Sequence, residues 1–88
     1  MKKENEVYIL QEDILNGIHS MQSIIYILKD CETLEMSKKY VINHLEKNKI
    51  PHKILINDDK NFHYSIPSHP DDTFGFTIYG KIGLAKIL

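Results

Sequence analysis

The chain has 88 residues, of which 42% are hydrophobic and 26% charged, and its formal net charge is −1. This length suits one small globular domain over residues 1–88, and it excludes a dinucleotide-binding fold or a barrel because so thin a core cannot enclose a large cofactor. All 11 cations are lysines, so a dedicated nucleic-acid-binding protein, which usually relies on arginine and a basic balance, is not expected.

The compartment is predicted from what the sequence lacks. Its single cysteine, Cys31, cannot form an intrachain disulfide, which favours a reducing cytoplasm. The apolar runs Val7–Leu10 and Ile24–Leu28 are too short for a signal peptide or for a membrane span of about 20 residues. Isoleucine, lysine and asparagine are abundant, as in AT-rich coding genomes, and this is compatible with a bacterial host or its phage.

The first part of the chain allows two interpretations. After a strand at Val7–Leu10, the Asn16-Gly17 pair is a strong two-residue hairpin signal that would place Ile9 opposite Ile24. A helix over Glu12–Lys29 competes with it, because apolar residues also recur there at helical spacing. The match of polar with polar and apolar with apolar positions favours the hairpin.

The clearest element is a helix from about Cys31 to Asn48. Its apolar stripe is formed by Leu34, Val41 and Leu45. Asp30 can cap its start, Asn48 can adopt the left-handed cap conformation, and Pro51 prevents continuation. The helix should therefore pack one face on a sheet.

Strands are predicted on both sides of this helix and in the last third of the chain. Ser23–Lys29 and His52–Asn57 flank the helix and would run parallel if they were adjacent. Alternating apolar residues predict two antiparallel strands at 62–66 and 74–78. Gly80-Lys81 suits a tight turn into a final strand, Ile82–Leu88.

These elements predict a small α+β domain, with one main helix packed on a largely antiparallel sheet of four to six strands. The predicted core consists of Ile9, Ile24, Tyr26, Leu34, Val41, Leu45, Ile54, Ile56, Phe74, Phe76 and Ile78.

Two segments resemble the second class of peptidyl-tRNA hydrolases, including the small phage forms. Asp13-Ile14-Leu15-Asn16-Gly17 followed by Gln22 is similar to that family's Asp-Leu-x-x-Gly-x-x-x-x-Gln stretch, which leads into its first helix. The segment from Asn48 to Asp58 is similar to its Gly-Ile-Pro-His turn and acidic strand end. The residues that follow Gly17 depart from the family pattern. The resemblance thus implies a reduced relative that binds tRNA or acts on it through Asp13, Gln22 and Asp58.

Other candidates for chemistry have simpler interpretations. His63, His69, Asp71 and Asp72 match no tight zinc spacing, so neither a metal nor a cofactor is expected. Asp58-Asp59 could form a carboxylate pair, but neighbouring strand residues point to opposite faces, which favours a turn. Cys31 is expected to be a small buried hydrophobe.

The remaining candidate is a binding surface around a loop rich in proline, histidine and aspartate. Its members are Phe62, His63, Tyr64, His69, Asp71, Asp72 and Tyr79. Aromatic residues anchor many protein interfaces, although the rings could instead belong to the core. The sequence thus predicts a non-catalytic cytoplasmic protein-binding module, such as a phage-encoded inhibitor of a host protein. A sheet edge could also pair with a second copy of the chain.

Overall fold

The computed structural model describes residues 3–16, 20–67 and 76–87. Within these ranges the elements follow one another as β1 (Glu6–Asn16), β2 (Ser20–Leu28), α1 (Leu34–Lys47), β3 (Lys53–Asn57), β4 (Phe62–Ile66) and β5 (Phe76–Lys86). The strands form one sheet with the order β2-β1-β5-β4-β3, in which every neighbouring pair is antiparallel. The predicted α+β class, one helix on an antiparallel sheet, is confirmed.

The two strands that flank the helix lie at opposite edges of the sheet. β2 forms one edge and β3 the other, so the connection through α1 crosses the whole sheet. The two strands run in the same direction, but they do not form the adjacent parallel pair that the sequence suggested.

β1 and β2 form the predicted hairpin rather than the competing helix, but with a different register. Asn16 pairs with Ser20 and Ile9 pairs with Ile27, so three residues connect the strands instead of two. The shift from the predicted partner Ile24 is an odd number of residues, so each β2 side chain shares a face with a different set of β1 side chains: Ile24 lies on the face of Glu12 and not on that of Ile9.

β5 is one continuous strand, so the predicted turn at Gly80-Lys81 is wrong. Gly80 pairs with Glu12 on one side and with Tyr64 on the other. A Cβ atom at position 80 would overlap the Tyr64 ring. The glycine is required for this close approach and not for a change of chain direction.

The helix begins and ends slightly inside its predicted bounds. Thr33, and not Asp30, caps its start, where its Oγ1 accepts a hydrogen bond from the Met36 amide at 3.1 Å. The left-handed residue after the helix is Lys49, with φ of 53°, and not Asn48. The Asn48 side chain instead donates to the His44 carbonyl at 2.8 Å.

The core lies between α1 and the sheet face that it covers, which we call the inner face; the opposite side of the sheet is the outer face. The buried hydrophobic residues are Tyr8, Leu10, Leu28, Cys31, Val41, Leu45, Phe62, Tyr64 and Ile82. The predictions for Val41, Leu45 and Cys31 are confirmed.

Several other core predictions are wrong. The residues that prove to be exposed are Ile24, Tyr26, Ile54 and Ile56. All four lie on edge strands, where a side chain has neighbours on one side only. The predicted core residue Phe74 and the side chain of Phe76 fall outside the described part of the chain.

Candidate functional site

One row of residues crosses the inner face of the sheet and joins all five strands. From β2 to β3 it runs through Ile24, Glu12, Gly80, Tyr64 and Ile54, each paired with the next. Because Gly80 has no side chain, the Tyr64 phenol passes over β5 and donates a hydrogen bond of 2.7 Å to Oε2 of Glu12. A carboxylate is thereby fixed among apolar side chains.

An open cleft of about 830 Å³ lies above this row, between α1 and the β1–β2 side of the inner face; we call it the inner cleft. It is present because α1 covers only part of the sheet. The helix and the residue after it supply Tyr40, His44, Leu45 and Ile50. The sheet supplies Glu12 and Tyr26, together with apolar residues of β1, β2, β4 and β5.

Glu12 and burial together keep two tyrosines of the cleft, Tyr64 and Tyr26, protonated. Burial, followed by the hydrogen bond to Glu12 and its negative charge, raises the pKa of Tyr64 far above its ordinary value. Burial and then the charge of Glu12 also raise the pKa of Tyr26. Both phenols are therefore hydrogen-bond donors at physiological pH, and neither can act there as a base.

The β2 edge is the second prominent surface. From Ser20 to Leu28 this strand has nine residues without a charge or a proline. Its apolar side chains are exposed on both faces, with Ile25 at 58% and Ile27 at 66% on the outer face and Tyr26 half exposed on the inner face. Such an edge offers unpaired backbone groups and apolar contacts to another strand.

The β3 edge also exposes apolar side chains, but it differs from β2 in length, charge and regularity. It is five residues long, begins at Lys53 and is followed by Asp58. Its register with β4 shifts between Ile54 and Ile56, which marks a bulge. Short length, charge and bulges are the features by which proteins prevent pairing at an edge, so β2 is the open edge of this sheet.

The residues implied by the peptidyl-tRNA hydrolase resemblance do not come together. Asp13 lies on the outer face of β1, whereas Gln22 lies on the inner face of β2 opposite Ile14. Asp58 follows β3 at the far edge of the sheet. Gln22, which the resemblance places in the family's first helix, lies in β2 instead.

Asp58 has a structural role in the turn between β3 and β4, as the sequence favoured. Its Oδ1 accepts hydrogen bonds from the amides of Lys60 at 2.9 Å and Asn61 at 2.8 Å. These two bonds, in that order, hold the pKa of Asp58 below its ordinary value. Its carbonyl accepts a bond of 2.7 Å from Nζ of Lys38 on α1.

The predicted aromatic binding surface is corrected in two positions. Phe62 and Tyr64 are buried in the core, at 0% and 1% exposure, because both point to the inner face of β4, which has a neighbouring strand on each side. These two rings therefore belong to the core, which was the other interpretation of the aromatic residues. His69, Asp71 and Asp72 lie outside the described residues.

The structure does bring two other members of that prediction together. His63 and Tyr79 line a depression of about 210 Å³ on the outer face, with Asp13 and Lys81. Hydrogen bonds from Ser23 at 2.7 Å and Gln11 at 3.0 Å, and then the charge of Lys81, hold the pKa of Asp13 below its ordinary value. This carboxylate is thus fixed as an acceptor.

Sequence reasoning missed the role of Glu12. The available signal was its position in the alternating residues of β1, where Tyr8, Leu10 and Ile14 all face inward. A carboxylate at an inward position of such a strand indicates a buried polar contact. Its partner Tyr64 is 52 residues away in sequence, and only the fold identifies it.

No family model, no curated protein and no solved structure matches the chain. The resemblance to peptidyl-tRNA hydrolases therefore stays a prediction. Among residues 3–16, 20–67 and 76–87, no three metal-binding side chains form a group. No helix in these ranges has the length and apolar character needed to cross a membrane.

Proposed function

We propose that the protein is a small non-catalytic protein-binding module that accepts an extended segment of its partner as an added strand along β2. The observation that carries this proposal is the contrast between the two edges of the sheet. β2 is long, uncharged and apolar on both faces, whereas β3 is short, charged and bulged.

The chemistry of β2 defines the kind of segment that would bind. Backbone hydrogen bonds supply affinity in such complexes, and alternate side chains supply specificity. Ile25 and Ile27 would contact partner side chains on the outer face, and Ile24 and Tyr26 those on the inner face. The partner segment should therefore be extended, uncharged and apolar on both faces.

The proposal includes a cellular setting. We place the protein in the cytoplasm as an inhibitor or adaptor of a host protein, which suits its one cysteine, free and buried. A stoichiometric binding role needs no reactive group. The three residues implied by the hydrolase resemblance lie on different faces and at different edges of the sheet.

The test uses peptides selected from a displayed library of random extended sequences against the wild-type protein. Their affinities are then measured by calorimetry for the wild type, for Ile25→Lys and for the matched control Leu55→Lys. Both isoleucine and leucine are exposed, at 58% and 47%, so both variants should fold, which circular dichroism verifies. We expect Ile25→Lys to abolish binding and Leu55→Lys to leave it unchanged.

Two outcomes would overturn the proposal. One is a set of selected peptides that binds wild type and Ile25→Lys equally well. The other is a dimer, detected by sedimentation, that Ile25→Lys dissociates, because the β2 edge would then be occupied by a second copy of the chain.

A further inference from the structure

We propose that the inner cleft is a binding site for a small organic cation, namely an ammonium group attached to an aryl or branched alkyl body. The cleft shares Tyr26 and neighbouring β2 residues with the edge proposed for strand addition, but the cation site itself needs no protein partner. Its volume of about 830 Å³ falls within the range of natural ligand sites, and its lining is mostly apolar.

The negative charge among the residues that line the cleft favours a positively charged ligand. Of the described residues that line the inner cleft, Glu12 is the only acidic one, and none is a lysine, although the chain has 11 lysines. A carboxylate among apolar side chains is stabilised by a nearby positive charge and repels a negative one. An anionic ligand is therefore excluded, and a neutral one would leave this attraction unused.

The geometry of Glu12 leaves it able to receive such a ligand. Its Oε2 accepts the Tyr64 phenol at 2.7 Å, which fixes the side chain at the base of the cleft. The Tyr26 phenol also hydrogen-bonds to Glu12. A carboxylate has about four acceptor positions, so two phenols still leave room for the N–H donors of an ammonium group. The position of the carboxylate is thus set before the ligand binds.

Aromatic rings complete the match to a cation. Tyr26 on β2 and Tyr40 on α1 line the cleft from opposite sides, and both are substantially exposed to it or to solvent. Tyrosine faces attract ammonium groups, and recognition of organic ammonium ions commonly combines such rings with a carboxylate. Leu45, Ile50 and Ile78 would contact the apolar body of the ligand.

The test compares three probes of similar shape: 2-phenylethylammonium, 2-phenylethanol and 3-phenylpropanoate. Each is titrated into the full chain at neutral pH and followed by NMR chemical shifts. We expect the ammonium to bind at least about tenfold more tightly than the alcohol, with shifts at Glu12, Tyr26 and Tyr40, and the carboxylate not to bind.

Two variants distinguish the contribution of the Glu12 charge to ligand affinity from that of the shape of the cleft. Glu12→Gln keeps an oxygen acceptor for Tyr64 but removes the charge, and it should abolish the preference for the ammonium over the alcohol. Glu46→Gln, at an exposed position of α1 outside the cleft, is the matched control and should change nothing. If Glu12→Gln does not fold, the three probes on the wild type still decide the matter. Equal binding of ammonium and alcohol, or shifts confined to residues outside the cleft, would overturn the proposal.

Discussion

Tyr64 on β4 lies across Gly80, its direct partner on β5, so closely that a side chain at position 80 would occupy the same space as the ring. This contact lets the phenol reach Glu12 on β1 and links three strands of the inner face. The absence of a Cβ atom at one position therefore determines both the packing of the sheet centre and the base of the inner cleft.

Gly80→Ala should destabilise the domain, because the new methyl group must displace the fully buried Tyr64 ring. Forcing extra volume into a packed core costs about 1–3 kcal/mol. Gly83→Ala on the same strand is the control, since its Cβ would lie 3.8 Å from Cγ1 of Ile9, an ordinary contact. Urea unfolding measures both variants. Equal free energies of unfolding for the two variants would show that the packing of the Tyr64 ring does not require a glycine at position 80.

Lys38→Met should lower stability although it replaces a surface-type residue with an apolar one. Lys38 is buried, and its Nζ donates to the Asp58 carbonyl at 2.7 Å and to Oε1 of Glu35 at 3.2 Å. Loss of hydrogen bonds from a charged donor costs about 1.5–3 kcal/mol. Lys39→Met, at an exposed neighbouring position, is the control for chemical denaturation. Unfolding of both variants at the same urea concentration would show that the hydrogen bonds of Lys38 do not stabilise the fold.

Asp58→Asn should reduce the melting temperature at neutral pH and remove part of the acid sensitivity. The pKa of Asp58 is lowered in the folded state, so its stabilisation is present above the pKa of the unfolded chain, about 3.9. It is lost as the pH falls through the lower folded value. Melting curves from pH 7 to pH 2 should therefore show Asp58→Asn and wild type converging in acid.

The control for that experiment is Asp59→Asn, which removes the same charge one residue away. Asp59 makes none of the turn hydrogen bonds that Asp58 accepts from the Lys60 and Asn61 amides. We expect the control to melt closer to the wild type at pH 7. A difference between Asp58→Asn and wild type that is constant across the pH range would contradict the assigned role.

Leu45→Ala should cost about 2–5 kcal/mol, because Leu45 is 2% exposed and its removal leaves a cavity between α1 and the sheet. Ile27→Ala is the comparison on an exposed position of β2, and it should cost much less. Equilibrium unfolding in urea ranks the two. A larger loss at Ile27 would mean that the outer face of β2 is covered in the isolated protein.

The sequence predicts the helix well because its signals are local. Val41 and Leu45 repeat at helical spacing, and Pro51 ends the segment. The β1–β2 hairpin is predicted for the same reason, but its register is not. A loop of three residues instead of two places Ile9 opposite Ile27 and not opposite Ile24, so Ile9 and Ile24 do not share the inner face. Ile24 and Tyr26 face inward as predicted, but they are exposed because β2 is an edge strand.

The candidate site could not be predicted because it depends on contacts distant in sequence. Gly80 has the local character of a turn residue, and only the ring of Tyr64 explains why it lies inside a strand. The link between Glu12 and Tyr64 spans 52 residues. That β2 is the open edge and β3 the protected one follows from strand order, which periodicity does not determine.

The central claim is that a partner segment adds to the sheet along β2. The most direct measurement is the NMR detection of backbone proton contacts between an isotope-labelled protein and an unlabelled selected peptide. The account predicts a ladder of contacts from the peptide backbone to the residues of β2 between Met21 and Ile27. Contacts to β3 or to α1, with none to the β2 backbone, would contradict it.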